Sequence, residues 1–453
     1  MLPAMHTDSR QIRPGTSPRL EHPRPSIFPT GQMLPFFLTT LIFFIWGMSN
    51  NLTDILVQQF RKSFELNLIQ AQLVQTAVFL AYATMAIPAA LFMRRFGYKA
   101  GLMIGLVVFG AGTLLFWPAA IWGHYVPFLM ALFVVGSGSS ILETAANPFM
   151  ARFGDEATSE QRLNFAQAFN PPGTITGVLL GTWFIFSGIE KKPPEIAAMR
   201  VHGTYAAYLH GEILRVVPIY VVLGTAVLIL AAVIGLTRFP NIADSSESLG
   251  ALPQTLDPRL RSSIGRLIRN RHFMLAVMAQ FFCVGATIGG WSTYIPYIRT
   301  YTQATDRTAG YFLTGALVVF AVGRIVSTPL MRFIAPDKLM GLYAVINIAL
   351  LGVGIALPGM KGCYAILITS FFLSVMYPTI FASGVRGLGD DTKLGGSLMV
   401  MGMIGGAIFP PAMGWIARAE GSIALSYLLL AVAYGVIAFY AFVPPLIRKR
   451  AWR

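Results

Sequence analysis

Acidic side chains are scarce in this chain: 19 Asp and Glu stand against 34 Lys and Arg in 453 residues, and charged residues make up only 12% of the total. With 55% hydrophobic residues and a mean hydropathy of +0.63, that scarcity excludes an ordinary soluble domain. Cysteine is nearly absent. Cys283 and Cys363 lie in or beside apolar stretches far apart in the chain, which excludes a disulfide framework and a CxxC metal or redox site. The six histidines fall in tails, loops or the ends of apolar stretches, which argues against an intramembrane histidine relay or a zinc site. No metal and no cofactor is expected. The first 34 residues, with Pro14, Pro18, Pro23 and Pro25, lack the short apolar core of a cleavable secretion signal and read as a disordered cytoplasmic tail.

What is abundant is apolar sequence in runs of about 20 residues, the length that spans a bilayer. Twelve such spans are expected, at roughly 35 to 57, 70 to 92, 100 to 121, 125 to 150, 162 to 187, 214 to 237, 272 to 299, 308 to 331, 338 to 358, 361 to 385, 394 to 417 and 422 to 446. The fold class is therefore all-α and polytopic. The formal net charge of +15 is topological, not a nucleic-acid footprint, because no clustered basic surface interleaved with other residues accompanies it. Sorting Lys and Arg by the span assignment puts roughly 23 on the side of the N-terminus and about ten opposite, so both termini are expected in the cytoplasm of a bacterial inner-membrane protein. Arg324 falls inside a span, where pairing with helix ends or backbone carbonyls is expected.

A polar stretch from about Phe239 to Arg271 divides the chain. The expected organisation is a tail at 1–34, a six-helix bundle at 35–238, a cytoplasmic loop at 239–271, a second bundle at 272–446 and a tail at 447–453. The halves repeat weakly. Met93 to Gly101, after span two, matches Met331 to Leu339, after span eight, as a short basic turn. Parallel six-span repeats with a long central loop are the plan of the major facilitator transporters, which bind substrate near the membrane midplane between the halves.

Within that frame two acids, Asp54 and Glu143, lie deep in spans. A carboxylate in hydrocarbon costs several kcal/mol or takes up a proton, so each marks a functional site. Trp46, Asn50 and Asp54 follow one another at steps of four, with Asn51 three before the aspartate, which aligns them on one helical face. Glu143 and Asn147 are four apart in span four; Asn164, Gln167 and Asn170 recur every three in span five. A single intramembrane amide serves helix-to-helix hydrogen bonding as readily as ligand contact. Amides and acids together supply the donors and acceptors that a hydroxyl-rich ligand needs. The second half offers Gln280, Thr287, Trp291 and Tyr294 on one stripe of span seven, with Ser374 and Tyr377 in span ten, and no carboxylate. Its aromatics suit the apolar faces of sugar rings. Gly173, Gly177 and Gly181, four apart, form a close-packing face.

These segments resemble the L-fucose:proton symporter family, the fucose, galactose and glucose branch of the major facilitators. The matching stretches are Trp46 to Leu56, Leu142 to Phe149, Arg162-Leu163-Asn164 with Gln167 and Asn170, Ala279-Gln280-Phe281, Trp291-Ser292, Tyr377 to Phe381 and Gly389 to Lys393, within about residues 35 to 445. The resemblance implies that Asp54 carries the proton and that Glu143 couples protonation to sugar binding. It implies Asn51, Gln167, Asn170 and Tyr377 as sugar contacts; Asn147, Gln280 and Trp291 join them by position. Pro171-Pro172 after Asn170, and Thr287 where the family has an amide, depart from the pattern and bear on which sugar is carried. The expected function is inward transport of L-fucose or a related hexose driven by protons, with sugar, protons and lipid as partners and the monomer as the working unit. The alternative is a glucose or galactose carrier, coupled or not. An embedded glycosyl transferase would need a polar catalytic loop, and Glu190, Glu195 and Glu212 are too scattered to supply one.

Overall fold

In a computed structural model, the described residues are 32–153, 159–189, 191–239, 258–331, 333–386, 388 and 391–442. The expected tails at 1–34 and 447–453 and most of the loop at 239–271 lie largely outside them. Among the described residues all regular structure is helical. The first half comprises α1 (Met33–Ser63), α2 (Leu68–Leu114), α3 (Phe116–Trp122), α4 (Tyr125–Arg152), α5 (Ser159–Gln167), α6 (Asn170–Leu180) with a π turn at Gly181–Ile185, α7 (Pro193–Val201), α8 (Tyr205–Leu214) and α9 (Val217–Leu236). After α10 (Pro258–Arg269), the second half comprises α11 (Arg271–Thr302), α12 (Asp306–Leu330), α13 (Pro336–Ala356), α14 (Met360–Leu373), α15 (Met376–Val385), α16 (Thr392–Met401) with a 3₁₀ turn at Gly402–Ile404, α17 (Gly405–Ala419), α18 (Ile423–Ser426) and α19 (Leu428–Phe442).

Eleven of the described helices are long and apolar enough to cross a membrane. The missing twelfth is span five. Pro171 and Pro172 can donate no backbone hydrogen bond, so they open α6 at its first turn and the helix divides near Phe169 into two pieces too short to cross alone. Spans two and three are Leu68–Ala86 and Arg95–Trp122; α2 runs through the first and most of the second, which α3 completes. The turn between them falls at Gly97, whose φ of 79° favours glycine. The start of α2 is fixed by a capping box: Asn67 Oδ1 accepts from the Gln70 amide at 2.9 Å and the Gln70 side chain accepts from the Asn67 amide at 3.0 Å.

Close approach replaces hydrophobic driving force inside lipid. The expected glycine face does this: a Cβ on Gly173 or Gly177 would run into the carbonyl oxygens of Phe44 and Met48, so α6 lies directly on α1. Lys99, in the basic turn, donates to the carbonyls of Gly235 and Thr237 at 2.8 and 3.0 Å, closing the C-terminus of α9 with a cation. Arg324 donates to the Ser374 carbonyl at 3.3 and 3.2 Å, at the break between α14 and α15. That is the backbone pairing anticipated for it.

Below, the end of the bundle where α1 begins is the near end and the opposite end is the far end. The halves pack α1 on α11, α2 on α17 and α6 on α12. Their hydrogen bonds gather toward the far end. Gln58 donates to Asp306 at 2.9 Å, Gln72 to Thr293 at 3.2 Å, the Trp183 indole to Tyr311 at 3.1 Å and Arg307 to the Trp183 carbonyl at 2.9 Å. At Gly414 a Cβ would stand 2.9 Å from the backbone of Ile69, so α17 and α2 touch there through main chain. The far end is closed.

Candidate functional site

Asp54 lies on α1 nine residues before Ser63, about 14 Å of helix from the far end. It is buried, and its Oδ1 accepts from Gln75 Nε2 of α2 at 2.7 Å. Glu143 lies nine residues before the near end of α4. Its Oε2 is buried with no hydrogen-bond partner, beside a narrow cleft lined by Ile42, Phe43, Trp46, Leu142 and Ala146. The two acids thus occupy different depths on different helices. Two more carboxyl groups are buried, but at the far rim: Glu212 pairs with Lys62 at 3.1 Å and Asp306 with Arg299 at 2.6 Å. Among the described residues neither deep acid has an ion-pair partner, whereas both rim acids do.

The Trp46 stripe is occupied by the protein itself. Trp46 Nε1 donates to the Tyr82 hydroxyl at 2.5 Å, and Asn50 Nδ2 reaches the same oxygen at 3.5 Å. Asn51 donates to the Gly47 carbonyl at 3.3 Å and to Thr174 Oγ1 of α6 at 3.2 Å, so it joins α1 to α6. Asn147 Nδ2 donates to the Glu143 carbonyl at 3.2 Å, and its oxygen accepts from Gln167 Nε2 at 3.2 Å. Asn170 Nδ2 donates to the Phe43 carbonyl at 3.4 Å. Each of these first-half amides therefore holds a helix contact in this structure. The side chain of Asn164 is outside what is described.

Across the midplane the second half brings Tyr377 close to both Glu143 and Gln280. Gln280 is fully buried, and apart from the neighbouring Tyr377 hydroxyl neither its amide nitrogen nor its oxygen meets a polar partner. Burying an amide that is incompletely served costs about 1 to 3 kcal/mol, so Gln280 and the Glu143 oxygen, each on its own side of Tyr377's surroundings, mark a place where a polar guest is wanted. Trp291 is turned elsewhere. Its indole donates to Ser370 Oγ at 3.2 Å and its ring meets Phe320 edge-on at 5.2 Å. With Thr287, Tyr294, Tyr427 and Tyr434 it lines a separate narrow cleft inside the second half. The stripe on span seven thus divides: Gln280 stands with Tyr377 near Glu143, while Trp291 and Tyr294 serve the interior of their own bundle.

Sequence reasoning missed two residues of α2, Gln75 and Tyr82. The signal was available: Gln72, Gln75, Thr76 and Tyr82 are polar positions inside an apolar span. Arg162, part of the motif near α5, is fully buried and donates to the Met150 carbonyl at 3.4 Å. Cys283 and Cys363 are buried free thiols.

Comparison with known proteins follows the same lines. The model of the Major Facilitator Superfamily matches residues 36–391. The chain is similar to the L-fucose-proton symporter of Escherichia coli strain K12, 38% identical over 412 residues that cover 90% of this chain and 92% of that protein. It is also similar to a glucose/galactose transporter of Brucella abortus biovar 1, 32% identical over 410 residues covering 89% of this chain and 92% of the other. Among solved structures, a major facilitator transporter, FucP, in the outward conformation aligns with a TM-score of 0.67 at 38% identity, covering 91% of this chain and 98% of that one. These relatives are transporters and not enzymes.

Proposed function

The chain belongs to the major facilitator superfamily, and from that premise we propose that it carries a hexose of the L-fucose type inward together with protons. The observation that carries this reading is that Tyr377 of the second half has the buried Gln280 amide as its neighbour and lies in the field of Glu143, whose buried oxygen has no hydrogen-bond partner. An ether- and hydroxyl-rich ring supplies both donors and acceptors to such a set and an apolar face to a phenol. Asn147, Gln167, Asn51 and Asn170 stand around it on α1, α4, α5 and α6; reaching a sugar would require them to exchange a protein partner for a hydroxyl. Trp291 becomes a contact only if it leaves Ser370.

Asp54 is the proton carrier in this reading, and Glu143 links the proton to the sugar. A carboxyl group withdrawn from water is disfavoured in its charged form, so protonation and occlusion favour one another. With the acid neutral and the sugar bridging the halves, the bundles rock about the midplane. Closure at the far end, with the Glu143 cleft beside the midplane, fits a state that opens toward the termini. The distribution of Lys and Arg supports a cytoplasmic location for both termini in a bacterial inner membrane. The two bundles, 35–238 and 272–446, are the bodies that move, and a single chain holds every group invoked.

The test is alkalinisation of the medium when sugar is pulsed onto vesicles holding the purified protein. L-fucose should give a proton uptake that a protonophore abolishes. No proton movement with fucose, galactose or glucose would overturn the reading. A response to glucose and galactose but not fucose would support the second reading, which the 32% identity to the glucose/galactose transporter favours.

A further inference from the structure

Asp54, the proposed proton carrier, makes no hydrogen bond to the second half; its one side-chain partner among the described residues is Gln75 of α2. Gln75 belongs to a row. Gln72, Gln75, Thr76 and Phe79 follow at steps that put them on one face of α2. Three of the four meet the opposite bundle: Gln72 donates to Thr293 of α11 at 3.2 Å, Thr76 donates to the Ala407 carbonyl of α17 at 2.8 Å, and the Phe79 ring lies against Gly406. The fourth, Gln75, faces back to α1. It is buried, and its Nε2 lies 2.7 Å from Asp54 Oδ1.

We propose that Gln75 is a positioning residue that transmits the proton state of Asp54 to the seam between the halves. The inference rests on the proton role given to Asp54 above. An ionised carboxylate only accepts hydrogen bonds, and the Gln75 amide meets it with its NH₂. A neutral carboxyl group also carries an O–H that needs an acceptor. The Gln75 oxygen is available for this, because its own bond is weak. The Thr53 hydroxyl, with one proton to give, lies 2.5 Å from the Asn50 carbonyl and 3.3 Å from Gln75 Oε1. Protonation of Asp54 therefore favours turning the Gln75 head over, with its oxygen toward the acid and its NH₂ released. In the turned head the NH₂ faces Thr53 Oγ1, 3.3 Å away and a weaker acceptor than the carboxylate it leaves, so the turn of α2 that also bears Gln72 and Thr76 must adjust to shorten that bond. The seam bonds of those two residues are among those that must break for the far end to open.

Titratable groups on the packed elements do not compete for this position. Glu143 of α4 and Tyr82 of α2 lie beside one another. Lys62 of α1 pairs with Glu212 of α8, Arg299 of α11 pairs with Asp306 of α12, and Arg61 of α1 lies in the electrostatic field of that last pair. None of them bonds to Asp54 among the described residues.

The experiment compares wild type, Gln75→Met, Gln75→Glu, Gln72→Met and Asp54→Asn in vesicles, recording sugar-driven proton uptake and sugar counterflow across pH. Gln75→Met removes a donor that favours the ionised acid, so the pH of half-maximal proton-coupled uptake should move alkaline by about one unit while counterflow persists. Gln75→Glu, of the same length and without the NH₂, should move it the same way, which keeps the test alive if the Met variant does not fold. Gln72→Met alters the seam alone and should change rates with no shift of that midpoint. An unmoved midpoint in both Gln75 variants, with Asp54→Asn inactive in proton uptake, overturns the inference and leaves the proton role intact. Normal proton uptake by Asp54→Asn would instead overturn the proton role, and this inference with it.

Discussion

At the scale of single residues, the site is defined less by what is bonded than by what is not. Glu143 holds a buried oxygen with no hydrogen-bond partner and Gln280 a fully buried amide whose one polar neighbour is Tyr377, whereas Asn51, Asn147 and Asn170 are engaged with the protein. Glu143→Gln should therefore weaken sugar binding by at least about tenfold, since a charge-assisted bond is worth about 1.5 to 3 kcal/mol, as read by calorimetry on purified protein. Wild-type affinity in that variant would remove Glu143 from the sugar site. Asp54→Asn should reduce sugar-driven alkalinisation to background while leaving exchange of labelled sugar measurable. Tyr82→Phe should lower sugar affinity although Tyr82 itself is not assigned to the sugar, because the Trp46 indole loses its acceptor and with it a fixed position over the cleft. The two acids are legible in the sequence, because an acid in an apolar run has few explanations. Gln75 and Tyr82 are visible there only as polar positions in an apolar span, without their partners. Whether an intramembrane amide faces an acid, a backbone or lipid depends on the rotation of its helix, which periodicity alone leaves free when the whole span is apolar.

At the scale of elements, the glycine spacing and the basic turns translate directly into contacts: α6 on α1, Lys99 on the end of α9 and Arg324 on the α14–α15 break. Gly177→Ala should destabilise the detergent-solubilised protein by about 1 to 3 kcal/mol, since the new methyl group meets the Met48 backbone and neither helix can yield without moving the other. Gly352→Ala is the control: nothing lies within 4 Å of the added Cβ, and the change should be neutral or mildly stabilising. Thermal unfolding followed by tryptophan fluorescence separates them, and equal midpoints would show that α6 does not depend on close approach. The break in span five was visible as Pro171-Pro172, yet a hydropathy window averages over it and predicts one helix of 162 to 187. The local cost of proline is a backbone property that apolar composition does not register.

At the scale of the whole molecule, the halves meet through α1 with α11, α2 with α17 and α6 with α12, and the bonds between them lie toward the far end. Nothing in the sequence specifies which end is shut, because both closed forms use the same residues and differ only by rocking. Joining Gln58→Cys to Asp306→Cys should lock the far end: oxidation should stop uptake by more than about tenfold and reductant should restore it. Cys283 and Cys363 are buried, so the background should be low. Uptake that survives complete crosslinking would contradict rocking about the midplane as the transport motion.

In the far-end bonds named above the two full charges, the Asp306 carboxylate and the Arg307 guanidinium, each meet a neutral partner across the seam, Gln58 and the Trp183 carbonyl, and the others join amide, hydroxyl and indole groups. Dissolved ions screen charged pairs far more than neutral ones. A cell that moves between fresh water and brine would thus keep the same balance between its open and shut carriers, and its appetite for the nutrient would follow acidity rather than salinity.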